Sequence, residues 1–154
     1  MRTEDKFLLY LLKGKCYDRS RQFKQAIVQH QQALNLATAN NLLDDESIGH
    51  IYFRLGWSYV RSKNNIQSGI DALKKANEML PDFTELMVKL AGVLFQESGS
   101  DSDINQSKAL LQRAVELEPE SADARVLLGK IHHKLQEWED AAESFEQAIR
   151  VQTA

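Results

Sequence analysis

Two helix-spaced lines of residues come round more than once along this chain. Tyr52, Leu55, Gly56 and Tyr59 stand at i, i+3, i+4 and i+7, and Ile66, Gly69, Leu73 and Ala76 follow at i, i+3, i+7 and i+10. The pair returns as Arg125, Leu128, Gly129 and His132, then Trp138, Ala141, Phe145 and Ala148. Spacing of this kind marks one face of an α-helix. A recurring helix pair marks an array, whose units bury their cores between neighbours and leave an extended surface open. The pattern therefore constrains the chain to an all-α architecture and argues for a binding scaffold before any single residue is considered.

A chain of 154 residues, 43% apolar and 27% charged, with two prolines, is within the usual size of one helical domain and buries enough surface to fold without a staple. It carries no run of about 18 apolar residues, so no membrane partner is expected. Its 19 basic and 22 acidic side chains give a net charge of −3. That balance does not suit a protein held mainly to phosphate backbones, and no nucleic-acid partner is expected. Cys16 is the sole cysteine and Met1-Arg2-Thr3-Glu4-Asp5 is unlike a secretory signal, which points to a reducing, intracellular setting, taken as cytoplasmic. The triplet Asn105-Gln106-Ser107 has the form of a glycosylation acceptor, but the spacing puts Ser107 on a packed helix face.

Periodicity predicts eight helical segments at 6–19, 22–37, 46–62, 66–79, 83–97, 104–117, 121–135 and 138–151, falling into consecutive A and B pairs. The A lines are Tyr10, Lys13, Gly14, Tyr17; Tyr52, Leu55, Gly56, Tyr59; Met87, Leu90, Ala91, Leu94; and Arg125, Leu128, Gly129, His132. The B lines are led by Phe23, Ile66, Ile104 and Trp138 and continue with small residues. A small third residue on each A line lets two helix backbones approach where they cross, while large residues fill the flanking grooves. Trp138 is expected to pack ahead of the last helix. Two connections are long: Asn40–Asp45, and Glu97–Asp103, whose Gly, Ser and Asp content predicts an exposed loop.

These residues carry a resemblance to the tetratricopeptide repeat family over essentially the full chain. The Leu-Gly or Leu-Ala pair on each A helix from the second on, the small residue, larger residue and Ala on each B helix, and Pro81 and Pro119 beyond Ala76 and Ala114 all resemble that family's pattern. The resemblance implies an α-solenoid of four helix-turn-helix repeats in a right-handed superhelix, one domain over 1–154 with repeats at 7–39, 46–81, 83–119 and 121–153. Lys13 and Arg125 stand where the family prefers apolar residues, and Thr38 and Thr153 where it often has proline.

No phosphate-cradling loop, spaced Cys and His set or nucleophile elbow is present. His132 and His133 are adjacent on a helix and point about 100° apart, so they converge poorly on one metal. His30 and His132 read as packing residues, His133 as a groove or surface residue, and Cys16 as a half-buried thiol. No enzymatic activity, metal or cofactor is expected.

The resemblance implies that the A helices line a concave wall, with their second stripe as the binding surface. That stripe includes Leu8, Leu11, Lys15, Asp18 and Arg19 on the first repeat and His50, Phe53, Trp57, Val60 and Arg61 on the second. It continues with Val88, Gly92 and Phe95 on the third and Val126, Lys130, His133 and Lys134 on the fourth. On the second A helix the packing stripe is already accounted for, yet Phe53, Trp57 and Val60 form another apolar line. They read as anchors for a partner segment or as packing against a neighbouring helix. Gly92 would leave a hollow, and Lys15, Arg61, Lys130 and Lys134 would favour acidic character in an otherwise apolar protein or peptide partner. The two-carboxylate clamp of family members that hold heat-shock chaperone tails is not matched by Lys15, Trp57 and Gly92. An alternative is a structural segment of a larger array, or self-association through terminal repeats, since the last helix ends at Ala154 with apolar Ala142, Ile149 and Val151 and no polar capping helix.

Overall fold

A computed structural model describes residues 1–153, so Ala154 and any reading of the terminus there lie outside it. Among the described residues the chain forms eight α-helices and no strand: α1 (Thr3–Arg19), α2 (Phe23–Ala39), α3 (Asp45–Ser62), α4 (Ile66–Met79), α5 (Thr84–Glu97), α6 (Asp101–Leu117), α7 (Ala122–Lys134) and α8 (Trp138–Thr153). They fall into two compact units, Met1–Pro81 and the chain from Asp82 onward.

Several starts are set by side-chain caps, which satisfy backbone N–H groups that a helix leaves free. Asp44 accepts from the Ser47 N–H at 2.8 Å, Asn65 from Ser68 at 3.2 Å, and Ser121 from Ala124 at 3.3 Å. Ser100 caps α6 by accepting from the Asp103 N–H at 3.1 Å. This cap starts α6 at Asp101, so the exposed loop expected up to Asp103 is reduced to Ser98–Ser100.

In the first unit Leu34, Ala37, Ile48, Ile51 and Leu55 form a buried cluster, with Phe7, Leu43, Tyr52 and Tyr59 packed on it. The α3–α4 crossing is closed by glycine: a Cβ on Gly56 would stand 3.0 Å from both the Gly69 carbonyl and the Leu73 nitrogen. In the second unit Met87, Ala91, Ile104, Leu111, Ala114, Ala124, Leu128 and Ile131 form the buried cluster. There the buried Ser107 hydroxyl donates to the Ala91 carbonyl at 3.1 Å, tying α6 to α5. A Cβ on Gly129 would fall 2.6 Å from the Phe145 ring.

The helix-turn-helix turns of the first, second and fourth pairs each hold one non-glycine residue in the left-handed region: Arg21 (φ 63°), Lys63 (φ 61°) and Gln136 (φ 62°). The third pair turns instead through extended Ser98 (φ −113°, ψ 135°). Two packing expectations give way. Trp138 is 57% exposed, its ring meeting that of the exposed His133 edge-on at 5.1 Å. Cys16 is exposed.

Candidate partner-binding surface

On α3 the buried line is Ile48, Ile51, Leu55 and Ser58, with Gly56 at the crossing. Phe53 and Trp57 stand on the next line, half-buried. Val60 turns toward α4: its Cγ2 lies 2.8 Å from where a Cβ on Gly69 would stand. Arg61 is exposed and lays its guanidinium over the Phe23 ring, 4.6 Å from the centroid. The four residues thus divide, Phe53 and Trp57 from Val60 and Arg61, the latter two held against the B helices of their own unit.

On α1, Leu11 and Lys15 are half-buried and line a cavity of about 290 Å³ whose other walls are Phe7, Leu43, Ser47, His50, Ile51 and Arg54. Phe7, Leu43, Ser47, Ile51 and Arg54 are additions to the residues expected from the sequence. Phe7, Leu11 and Lys15 stand at i, i+4 and i+8, and Leu43 is an apolar residue in a polar connection, so helical spacing and local hydropathy are the sequence signals for them. Asp18 does not belong to this surface. Its carboxylate holds the buried His30 and accepts from the Ser58 hydroxyl. Leu8 and Arg19 are exposed.

In the second unit Val88 and Phe95 are half-buried and pack on the cluster around Met87 and Leu128. The Lys134 ammonium sits 5.4 Å above the Phe95 ring, so these two expected site residues are brought together. A Cβ on Gly92 would meet only Leu127, at 3.6 Å, an ordinary contact. Val126 is half-buried, while Lys130 and His133 are exposed. Val88 also lines a cavity of about 490 Å³ with Glu85, Glu118 and Asp123. The charge around it is negative, unlike the cationic rim of the α1–α3 cavity.

His132 is buried and its Nδ1 lies 3.0 Å from Glu137, which also accepts from the Lys108 ammonium at 3.0 Å to each oxygen. Lys108, then His132, holds the Glu137 carboxyl below the ordinary glutamate range. His132, Glu137 and Asp140 bring ligand atoms within 4.8 Å of one another, a set that could hold a metal ion. Glu137 is already paired with Lys108, so the arrangement works as an ion-pair network fastening the α7–α8 turn to α6.

Consecutive helix pairs packed through a small-residue crossing define an α-solenoid repeat protein. The chain belongs to the tetratricopeptide repeat family: residues 100–153 match the tetratricopeptide repeat model. It is 32% identical over 105 residues to anaphase-promoting complex subunit 3 of Dictyostelium discoideum, covering 68% of this chain and spanning 10% of that protein's length. Among solved structures MamA is similar at a TM-score of 0.81 and 18% identity, over 96% of this chain and 78% of that one. BtubC (BKLC) from P. vanneervenii is similar at a TM-score of 0.84 and 14% identity, over 99% and 65%. YrrB, a TPR protein with an unusual peptide-binding site, is similar at a TM-score of 0.77 and 21% identity, over 94% and 68%. At these identities the structural likenesses establish the fold. No described helix is long and apolar enough to cross a membrane.

Proposed function

We propose that this chain is a noncatalytic adaptor that binds a segment of a partner protein, a peptide or a helix, through the second stripe of its A helices. The observation that carries the reading is Phe53 and Trp57: two half-buried aromatic residues on a helix whose crossing and core lines are filled by other side chains. Aromatic anchors of this kind carry much of the energy of protein interfaces. Phe95 beneath Lys134 offers a second such point, in the second unit. Binding in an exposed stripe agrees with the use repeat solenoids make of their open faces, and the solved neighbour YrrB is itself a peptide-binding protein of this fold.

With a partner isolated by affinity capture and then titrated, Trp57→Ala and Phe95→Ala should each weaken binding by about 2 kcal/mol, roughly 30-fold. Circular dichroism should stay helical. Unchanged binding by both folded variants overturns the proposal. A second reading, a structural segment within a multiprotein complex, draws on the relative's being a complex subunit and on the exposed Leu9, Leu12 and Ile149. A strict monomer in sedimentation at high concentration counts against its self-associating form.

A further inference from the structure

We infer that the cavity between α1 and α3 receives one apolar side chain of a partner protein segment whose neighbouring residues are acidic. The inference rests on the reading of this chain as a partner-binding module, but on a different set of residues from Phe53 and Trp57.

The cavity is small and two-toned. At about 290 Å³ it sits at the bottom of the range for small-molecule sites, which suits a single side chain better than a cofactor. Its floor is Leu11, Leu43 and Ile51, and its rim carries Lys15, His50 and Arg54. No acidic side chain lines it, although the chain as a whole has a net charge of −3. Among the described residues neither Lys15 nor Arg54 forms an ion pair. On each helix the cation stands C-terminal to the apolar residue, four positions on from Leu11 to Lys15 and three from Ile51 to Arg54. Positions three and four apart share a helix face, so each of the two helices presents an apolar residue and a cation to the cavity.

Such a surface is complementary to an apolar residue flanked by carboxylates. An apolar ligand alone would leave the cations unused, and a purely acidic one would leave the floor empty. Rim charges act chiefly through steering and specificity, so affinity for a short segment should be modest and sensitive to salt. Leu43 comes from the connection between α2 and α3 and packs on the core cluster, so an irregular segment supplies part of the cavity wall.

The test uses the full chain, labelled with nitrogen-15, and three synthetic peptides at up to about 1 mM, a range that captures weak binding. One carries a leucine flanked by two aspartates on each side. The second has alanine for the leucine, and the third has lysines for the aspartates. The leucine peptide should shift the amide signals of Leu11, Leu43, Ile51 and Arg54 saturably, and the other two should bind at least roughly tenfold more weakly. Arg54→Glu and Lys15→Glu should each weaken the leucine peptide by a similar factor, with Arg54→Gln intermediate. Arg54 is exposed, so its variants keep the fold, and circular dichroism checks that the half-buried Lys15→Glu stays helical. Equal binding of all three peptides, no saturable shift with the leucine peptide, or unchanged binding by both reversals overturns the inference. Trp57→Ala separates the two readings. If it retains the leucine peptide while the reversals lose it, the cavity stands without the aromatic stripe; if it alone abolishes partner binding, the stripe stands without the cavity.

Discussion

The Asp18 carboxylate holds Nε2 of His30 at 2.8 Å, and His30 is fully buried at 0% exposure. A carboxylate only accepts, so Nε2 carries the hydrogen. The second Asp18 oxygen accepts from the Ser58 hydroxyl at 2.6 Å. One side chain on α1 thereby ties α2 and α3 together. Asp18→Ala leaves the buried His30 N–H without its acceptor, while the Ser58 hydroxyl can turn to the Arg54 carbonyl at 2.9 Å, and it should destabilise the chain by about 1–3 kcal/mol. Asp18→Asn keeps one acceptor and should cost about half as much. Guanidinium unfolding midpoints of the two variants measure this.

Two glycines on A helices should respond oppositely to the same change. A methyl at Gly129 meets the Phe145 ring at 2.6–2.9 Å, and Gly129→Ala should cost about 1–3 kcal/mol by overpacking. Gly92→Ala meets only Leu127 at 3.6 Å, so the gain in helix propensity, up to about 1 kcal/mol, should prevail. Thermal melts of both variants under identical conditions give the signs.

Lys63 holds φ 61° at the end of α3, a conformation that costs a side chain with a Cβ about 1–2 kcal/mol and glycine little. Lys63→Gly should raise stability by up to about 1 kcal/mol, part of the gain being offset by the greater freedom of glycine in the unfolded chain. Urea unfolding checks it.

The Glu137 carboxyl is held down first by Lys108 and then by His132. Its folded value lies below its unfolded one, so the stabilisation is fully present above the ordinary glutamate range, near pH 4.3, and is lost as pH falls through the lower folded value. Glu137→Gln should therefore flatten the acid limb of the stability profile below that range while lowering stability at neutral pH. A profile parallel to that of the unaltered chain would contradict this.

How much of this was legible depended on the range over which residues speak to each other. The helices could be placed because Leu-Gly and Ala spacings are local signals, and Ser100 with Asp103 carried a capping signal that explains the earlier start of α6. Asp18 and Ser58 are far apart in sequence, and no spacing rule brings them together. Val60 and Arg61 share a helical turn with Trp57, yet Gly69 and Phe23 draw them to the B helices, a choice set by the crossing geometry and not by their own spacing. Trp138 keeps the position of Phe23 and Ile66 in the repeat, but it lies exposed against the His133 ring, a placement its spacing alone does not decide. For the surface, the A-helix stripe could be read from periodicity, whereas the α1–α3 cavity needed Leu43, whose place against the core depends on the path of an irregular connection.

The most direct test of the adaptor reading is site-specific photocrosslinking in cells, with benzoylphenylalanine placed one position at a time at Phe53, Trp57 and Gln112. Gln112 is exposed on α6 and serves as the outward-facing control. Discrete crosslinked partner bands from positions 53 and 57, and none from 112, are the predicted result. Bands of equal intensity from all three positions, or from 112 alone, would contradict it.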